Sequence, residues 1–482
     1  MPEEPAAGGT VISSGAVASS DFVVLGGGIA GLTIAREIAR AGRSVTVVER
    51  KRAVGGLART IRHEGFSFDL GGHRFHSNNS GVVAWLRELT GDELLQVDRR
   101  SRIYLRGRFI DYPIRLAQAT RAFGAVKALH GAASYAAALV VNHREQAVTF
   151  KDWVTRRFGR VLYEIYFKPY TEKVWGIPCD ELSAGWAAQR ISVPNLMEAV
   201  IDAVVPPRTP QPTATRRFYY PRRGYGTIAD RLAEEVCGAG HGILTSTSLA
   251  KLRLGDEDAE VEVLDSSGAA TSLRCGRVIS TVPIDALLGA LSHEPGVAEA
   301  AALARLEYRG LVLVFVALGR AQVSADNWTY FPSPDLLFGR SHEPKNFSAA
   351  MVPGAAVTSL VLEIFSSPGE PAWDADDCAI TDRAIAELEA LGWARRGELI
   401  ASRVVRVPQA YPVHDIGYAE RVARVRSVLD RWPRLSLLGR TGSFSYQNVD
   451  GTVEECFRLA SRLGLHVTDS VKPLAADTAR WA

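Results

Sequence analysis

Three glycines near the start of the chain have the spacing that phosphate binding needs. Gly26-x-Gly28-x-x-Gly31 follows a short apolar strand, Val23 to Leu25, and opens a helical pattern from Ile29 to Ala41. Gly26 permits a tight turn, Gly28 admits a pyrophosphate close to the backbone, and Gly31 lets helix and strand pack closely. The helix start at Ile29 and Ala30 offers free N–H groups and positive potential to an anion. A second strand, Ser44 to Val48, ends on Glu49 and Arg50, and Glu49 has the chemistry to accept hydrogen bonds from ribose hydroxyls. Strand, helix and acid together predict a dinucleotide site. Gly55-Gly56-Leu57-Ala58 repeats the glycine device, and Gly71-Gly72-His73 would bring backbone and an imidazole against a flat ring system.

The elements that must position these residues predict an α/β protein. Residues 21–79, 218–294 and 426–465 read as three parts of one Rossmann-like nucleotide domain, so that domain is discontinuous. Residues 80–217 read as a mainly helical substrate-binding region, with helical spacing at Val82 to Thr90 and Val148 to Phe158 and a short hairpin at Ile103 to Pro113. Tyr166 to Pro178, aromatic and twice interrupted by proline, reads as neither clean helix nor clean strand. Residues 204–217 read as a mobile loop. Gly242 to Leu254, Glu260 to Leu264 and Arg277 to Pro283 read as strands. The apolar run Leu311 to Leu318 predicts a central strand in a second, sheet-containing lobe spanning 295–425. Leu435 to Arg440 is the last strand, leading through Asp450 into a helix from Gly451 and Thr452 to Leu463, whose dipole would favour negative charge at its N-terminus. Residues 1–20 and 466–482 are expected to be tails, the first disordered.

Composition sets outer limits. At 482 residues the chain is long enough for two or more lobes. Its net charge of +3 is too small to suggest nucleic acid as partner. No apolar run approaches a bilayer span, and the nearest, Ala132 to Val141, reads as a packed helix. The start of the chain does not read as a signal peptide. Five scattered cysteines, with no metal-ligand spacing, fit a reducing cytoplasm.

Several segments in order resemble the flavin-dependent UDP-galactopyranose mutases, within the wider group of flavoproteins similar to amine and protoporphyrinogen oxidases. They are FDLGGHRFHS, the pair Tyr112-Pro113, KPYTEKVWGIP through WAAQR, NWTYFPSPDLLFGR, the AYP containing Tyr411, and GRTGSFSY. The resemblance implies non-covalent FAD, active when reduced, with NAD(P)H a candidate reductant. The implied cofactor contacts are Gly26, Gly28, Ile29, Ala30, Gly31, Glu49, Arg50, Gly56, Leu57, Ala58, Gly71, Gly72, His73, Gly439, Arg440, Asp450, Gly451 and Thr452. It implies catalytic roles for His73, Arg190 and Arg340. Tyr112, Arg115, Thr171, Trp175, Tyr330, Tyr411 and Tyr446 join the two arginines around a nucleotide sugar. Arginine forks match phosphate oxygens, tyrosines add neutral donors, and Trp175 offers a face to base or ribose. The implied reaction is redox-neutral pyranose/furanose interconversion, with N5 of the reduced flavin attacking the anomeric carbon. The alternative is an oxidase or desaturase of the amine oxidase or protoporphyrinogen oxidase type, and a nonenzymatic flavin-binding protein would need no such pocket. Ile114, Arg115 and Thr171 depart from the family's usual base-end residues. Gly339 and Phe347 stand where tyrosines are common.

The glycine motifs and Glu49 generate a first expectation. Purified protein should be yellow and release FAD on denaturation, measured by absorbance and chromatography of the supernatant. Colourless protein that takes up no added FAD contradicts it.

Overall fold

The computed structural model describes residues 19–111, 125–140, 146–190 and 217–465. Two seven-stranded sheets organise them. The first is built around Ser19–Leu25, whose Val23, Val24 and Leu25 are fully buried, as apolar residues of a strand covered on both faces must be. It pairs in parallel with Val45–Val48 on one side and with Ala270–Ser280 on the other. Leu435–Leu437 adds in parallel beside the end of Ala270–Ser280. Helices Ile29–Arg40, Thr227–Gly238 and Val449–Arg462 share a core with Val24 and Val47, covering one face.

The second sheet has Tyr308–Leu318 inside it, between Leu399–Pro412 and Thr358–Ile364. Leu311 to Leu318 are all buried, as expected of a central strand. Next come the short strands Arg340–His342 and Trp328–Tyr330, then the hairpin Ser101–Leu105 and Arg108–Asp111. The hairpin read within the mainly helical stretch after residue 80 is present, and it extends the second sheet. Helices Val297–Ala304 and Tyr418–Leu429, read as part of the second lobe, put Val297 and Val425 into a core with Val23 and Leu25 of the first sheet.

Two local readings need correction. Gly242 to Leu254 is two strands, Gly242–Leu244 and Ser248–Leu254, broken where Ser246 takes φ 53°. The first edges the parallel sheet and the second turns antiparallel onto Ala259–Leu264. The aromatic segment is helical. A π-turn at Tyr163–Phe167 runs into the helix Lys168–Trp175. Pro169 falls in the first turn, where its missing N–H costs little, and Gly176 stops the helix at φ 71°. The cue was the position of the prolines relative to the ends, not their number. Residues 1–18, 204–216 and 466–482, read as tails and a loop, lie outside the described residues, whereas Ser19 and Ser20, read as part of the first tail, and Arg217, read as part of the loop, begin strands.

The first turn of the nucleotide sheet generates a prediction. A Cβ on Gly31 would lie 1.9 Å from the Gly26 carbonyl oxygen, which is backbone and cannot swing away. Gly31→Ala should lose at least about 1–3 kcal/mol of stability, typical of an overpacked core, and retain less FAD. Urea denaturation and the flavin-to-protein ratio would measure both.

Candidate functional site

The glycine segments form a continuous cradle. Gly28 and Gly55 pair as an isolated parallel bridge, and Gly55 N–H donates to the Gly27 carbonyl at 2.7 Å. A Cβ on Gly56, which has φ +54°, would sit 3.2 Å from the Gly28 Cα. The helix start at Gly28 has no side-chain cap and no acidic residue in its first turn, so its N–H groups face whatever binds there. Glu49 is buried, accepting from Gly27 N–H and Lys51 N–H at 2.8 Å each, while Arg50 is exposed. The middle and last chain segments close the cradle. Thr281 Oγ1 donates to the Leu25 carbonyl at 2.8 Å, and a Cβ on Gly439 would come within 2.8 Å of the Ala30 Cβ. Ile29, Ala30, Ala58 and Thr452 are buried, with Leu57 and Gly451 half-buried around them. Such a tight cradle, with an uncapped helix start free of acidic residues, fits a dinucleotide pyrophosphate.

The Gly71–Gly72–His73 turn lies between the two sheets. His73 stacks on Tyr225, with centroids 4.9 Å apart and planes 15° apart. Buried Asp69 holds the Tyr225 loop, accepting from Tyr225 N–H at 3.1 Å, Tyr220 Oη at 2.5 Å and Thr60 Oγ1 at 2.6 Å. Burial, aided by the charge of Arg440, pushes the His73 pKa down to about 3, so the ring is neutral at ordinary pH. Its Nδ1 is buried and makes no hydrogen bond among the described residues. Burial likewise pushes Asp450, in the first turn of Val449–Arg462, up to about 6.

One residue that the sequence reading missed joins this turn to the second sheet. Glu363 is fully buried, and its Oε1 accepts from Gly72 N–H at 3.1 Å, with His342 Nδ1 3.3 Å away. Its Oε2 accepts from Arg340 Nε at 2.8 Å and also from Arg340 Nη2. Burial opposes the Glu363 charge, but Arg340 and His342 outweigh it and hold the carboxyl well below its usual range. The signal was available, as a single acid within the otherwise apolar run Leu360 to Phe365.

Arg340 also donates to Tyr411 Oη at 3.1 Å, and its guanidinium lies over the Phe365 ring. Tyr411 stacks on Tyr446 at 5.9 Å, and Arg440 covers both rings while donating to the Gln447 carbonyl. Trp175 meets Tyr411, Tyr446 and the unforeseen Trp186 edge to face. Tyr330 accepts from Trp328 Nε1 at 2.8 Å and touches Tyr170, another residue missed. Thr171 is buried on the helix that carries Trp175. Phe347 is buried against Phe218, Tyr220 and Trp328. The structure thus brings Arg340, Arg440, Trp175, Tyr411 and Tyr446 together beside the Gly72 turn. Tyr112, Ile114 and Arg115 lie outside the described residues. Arg190 ends the helix Ala184–Arg190, and its side chain lies outside what is described.

A sequence model of the flavin-containing amine oxidoreductases matches residues 29–448, most of the chain. The chain belongs to this family. It is a flavoprotein, and its cofactor is FAD. Among solved structures, this family member is similar over 96% of its length to a reduced UDP-galactopyranose mutase, covering 97% of that chain at a TM-score of 0.79 and 22% identity. It is also similar to a putrescine oxidase variant, covering 93% of this chain and 99% of the other at 0.64 and 16%. At these identities the likeness speaks for the fold. A curated relative, “Probable UDP-galactopyranose mutase” from Klebsiella pneumoniae, is 27% identical over 173 residues. That match spans 34% of this chain and less than half, 44%, of the relative. Among the described residues no helix is long and apolar enough to cross a membrane.

The ion pair changes what a substitution at Arg340 would report. Arg340→Ala strands a buried carboxylate, so it should cost about 3–5 kcal/mol of stability besides any effect on substrate. The double variant Arg340→Met/Glu363→Gln should recover most of that loss. Equal denaturation midpoints for wild type and Arg340→Ala would contradict the pairing.

Proposed function

We propose that this flavoprotein is a nucleotide-diphosphate-sugar mutase that interconverts pyranose and furanose forms. The observation that carries the reading is the pairing of Arg340, through Glu363, with the Gly72 turn, beside a cluster formed by Arg440, Tyr411, Tyr446 and Trp175. Two guanidiniums and several phenols suit an anionic leaving group. The resemblance to mutases in ordered segments points the same way.

When bound and reduced, with a nicotinamide donor as the proposed source of electrons, FAD supplies the nucleophile for the anomeric carbon. The chain's task is to hold the diphosphate while the sugar is detached and then return it. Glu363 engages Nε and Nη2 of Arg340, so the fork is oriented before substrate arrives. Nη1 is outside those bonds and is the proposed donor to a phosphate oxygen. Tyr411, Tyr446 and Tyr330 are proposed to add neutral donors, with Arg190 as a second fork. Trp175, buried against Tyr411 and Tyr446, is proposed to line the ribose or base end, which Tyr112, Arg115 and Thr171 are proposed to complete. His73 stays neutral, so it orients the flavin without adding a third cation between Arg340 and Arg440. The buried rings of Trp175, Trp186 and Phe365 exclude water, which would otherwise capture the detached sugar.

A flavin oxidase or desaturase is the competing reading, favoured by the family match. An amine substrate, however, would bring a cation against Arg340 and Arg440. Titrating the reduced holoprotein with UDP, dTDP, GDP, ADP and CDP distinguishes the two, with oxygen uptake followed on candidate amines. Micromolar binding of a nucleoside diphosphate without net oxidation is expected. Arg115 only donates hydrogen bonds, so UDP should not lead every other nucleotide by more than about tenfold, or about 1.4 kcal/mol. Absence of nucleotide binding together with stoichiometric amine oxidation would refute the mutase reading.

A further inference from the structure

The loop between Tyr330 and Arg340 has little regular structure of its own. It is flanked by two three-residue strands, Trp328–Tyr330 and Arg340–His342. Phe331 N–H donates to the Gly339 carbonyl at 2.8 Å, Gly339 N–H to the Glu363 carbonyl at 3.0 Å, and Leu337 N–H to Glu387 at 2.7 Å. Three of its other carbonyls, on Phe331, Ser333 and Phe338, converge on the Nζ of Lys173 at 3.1, 2.7 and 2.8 Å. An ammonium has three N–H donors and no acceptor, so the match is complete. Without that cation three carbonyl dipoles of one sign would face each other, and the loop would have to open. The rings of Phe331 and Phe338, fully buried and edge to face at 4.8 Å, hold its other side.

We propose that Lys173 is a positioning residue for substrate recognition, tethering the loop that ends in Tyr330 and Arg340 to the helix that carries Tyr170, Thr171 and Trp175. The two halves of the pocket come from different parts of the chain, and this contact sets their spacing. The inference rests on the proposed function for the roles of Arg340 and Trp175, but the tether itself is a separate structural claim. Half-buried, the Lys173 ammonium has its pKa pushed down to about 8 by desolvation, with Glu387 and Asp335 favouring the charge and Arg383 opposing it. Gly339 finds a reason here. A Cβ at that position would press on the Phe365 ring at 3.0 Å and reach within 3.7 Å of Lys173 Cε.

The test compares reduced, FAD-loaded wild type with Lys173→Met and with Lys173→Cys alkylated by bromoethylamine, which rebuilds a lysine-length ammonium. Wild type alkylated in parallel controls for the exposed Cys378. The probes are UDP and inorganic pyrophosphate, read by calorimetry, with the flavin-to-protein ratio and hydrogen exchange of residues 331–339 measured alongside. Lys173→Met should keep its FAD, bind both probes at least tenfold more weakly, and exchange faster at 331–339. Alkylated Lys173→Cys should recover both properties. Unchanged binding and exchange in Lys173→Met would overturn the proposal, as would loss of binding that the rebuilt ammonium does not restore. If Lys173→Met does not fold, Lys173→Gln, with two donors, should show an intermediate loss, and wild-type affinity there is equally fatal. If wild type binds neither probe, hydrogen exchange at 331–339 alone decides the tether, and the mutase reading is decided by the full nucleotide panel.

Discussion

A carboxylate with no access to water has to be paired, and much of this molecule is arranged around one. Glu363 sits in Thr358–Ile364, a strand in which every residue is buried. Directly across the antiparallel ladder is Arg340. A slip of one residue would turn Glu363 to the opposite face, among Leu362 and Ile364, and leave two charges buried and unpaired. The pair therefore fixes the register of a three-residue strand that has few ladder bonds of its own. The other carboxylate oxygen takes the Gly72 amide, so the same group docks the cofactor turn on the second sheet. The charge of Arg340, proposed to meet an anion, is held in place by the charge that would otherwise be intolerable there.

The nucleotide cradle depends on a different constraint, the close approach of backbones. Gly28 and Gly56 remove side chains where two loops meet, Gly31 removes one against the Gly26 carbonyl, Gly26 one against Thr281, and Gly439 one beside Ala30 just after the last strand. None of these contacts is strong. They matter because together they bring backbones close around a helix start that carries no side-chain cap and no acidic residue. Thr281 and Gly439 come from chain segments far beyond the motif, so the cradle forms only when all three parts of its sheet have assembled.

The aromatic and arginine cluster beside the Gly72 turn combines rigid and tethered parts. Tyr411 continues the long strand Leu399–Pro412, and Trp175 is clamped by Trp186 at 5.0 Å. The guanidinium of buried Arg309 holds the end of the Trp175 helix, donating to the Val174 carbonyl at 3.0 Å and to the Phe365 carbonyl at 2.5 Å. A Cβ on Gly176 would meet that guanidinium at 2.8 Å, so this glycine serves packing as well as helix termination. The loop from Tyr330 to Arg340 lacks such support from regular structure, which is why a single ammonium can govern it.

Local patterns made the nucleotide half of the protein readable. Gly26 to Glu49 declares strand, turn, helix and acid within one short segment, and each signal depends only on near neighbours in sequence. The run Leu311 to Leu318 announced a central strand for the same reason, because burial on both faces demands uninterrupted apolar residues. Arg340, Trp175, Tyr411 and Tyr446 were found by resemblance in ordered segments, and nothing in their own neighbourhoods showed that they meet. Glu363, Tyr225, Trp186 and Lys173 escaped because their importance lies in partners far along the chain: Gly72, His73, Trp175 and the carbonyls of Phe331, Ser333 and Phe338. A hydrogen bond has no local sequence signature when its donor and acceptor are brought together only by packing. The sequence by itself determined the strand, glycine turn and helix of the first sheet and the existence of a second sheet. The tertiary structure alone decided which charges face each other across the gap between the two sheets, since that depends on strand register and on the burial of groups whose cost appears only once water has been excluded.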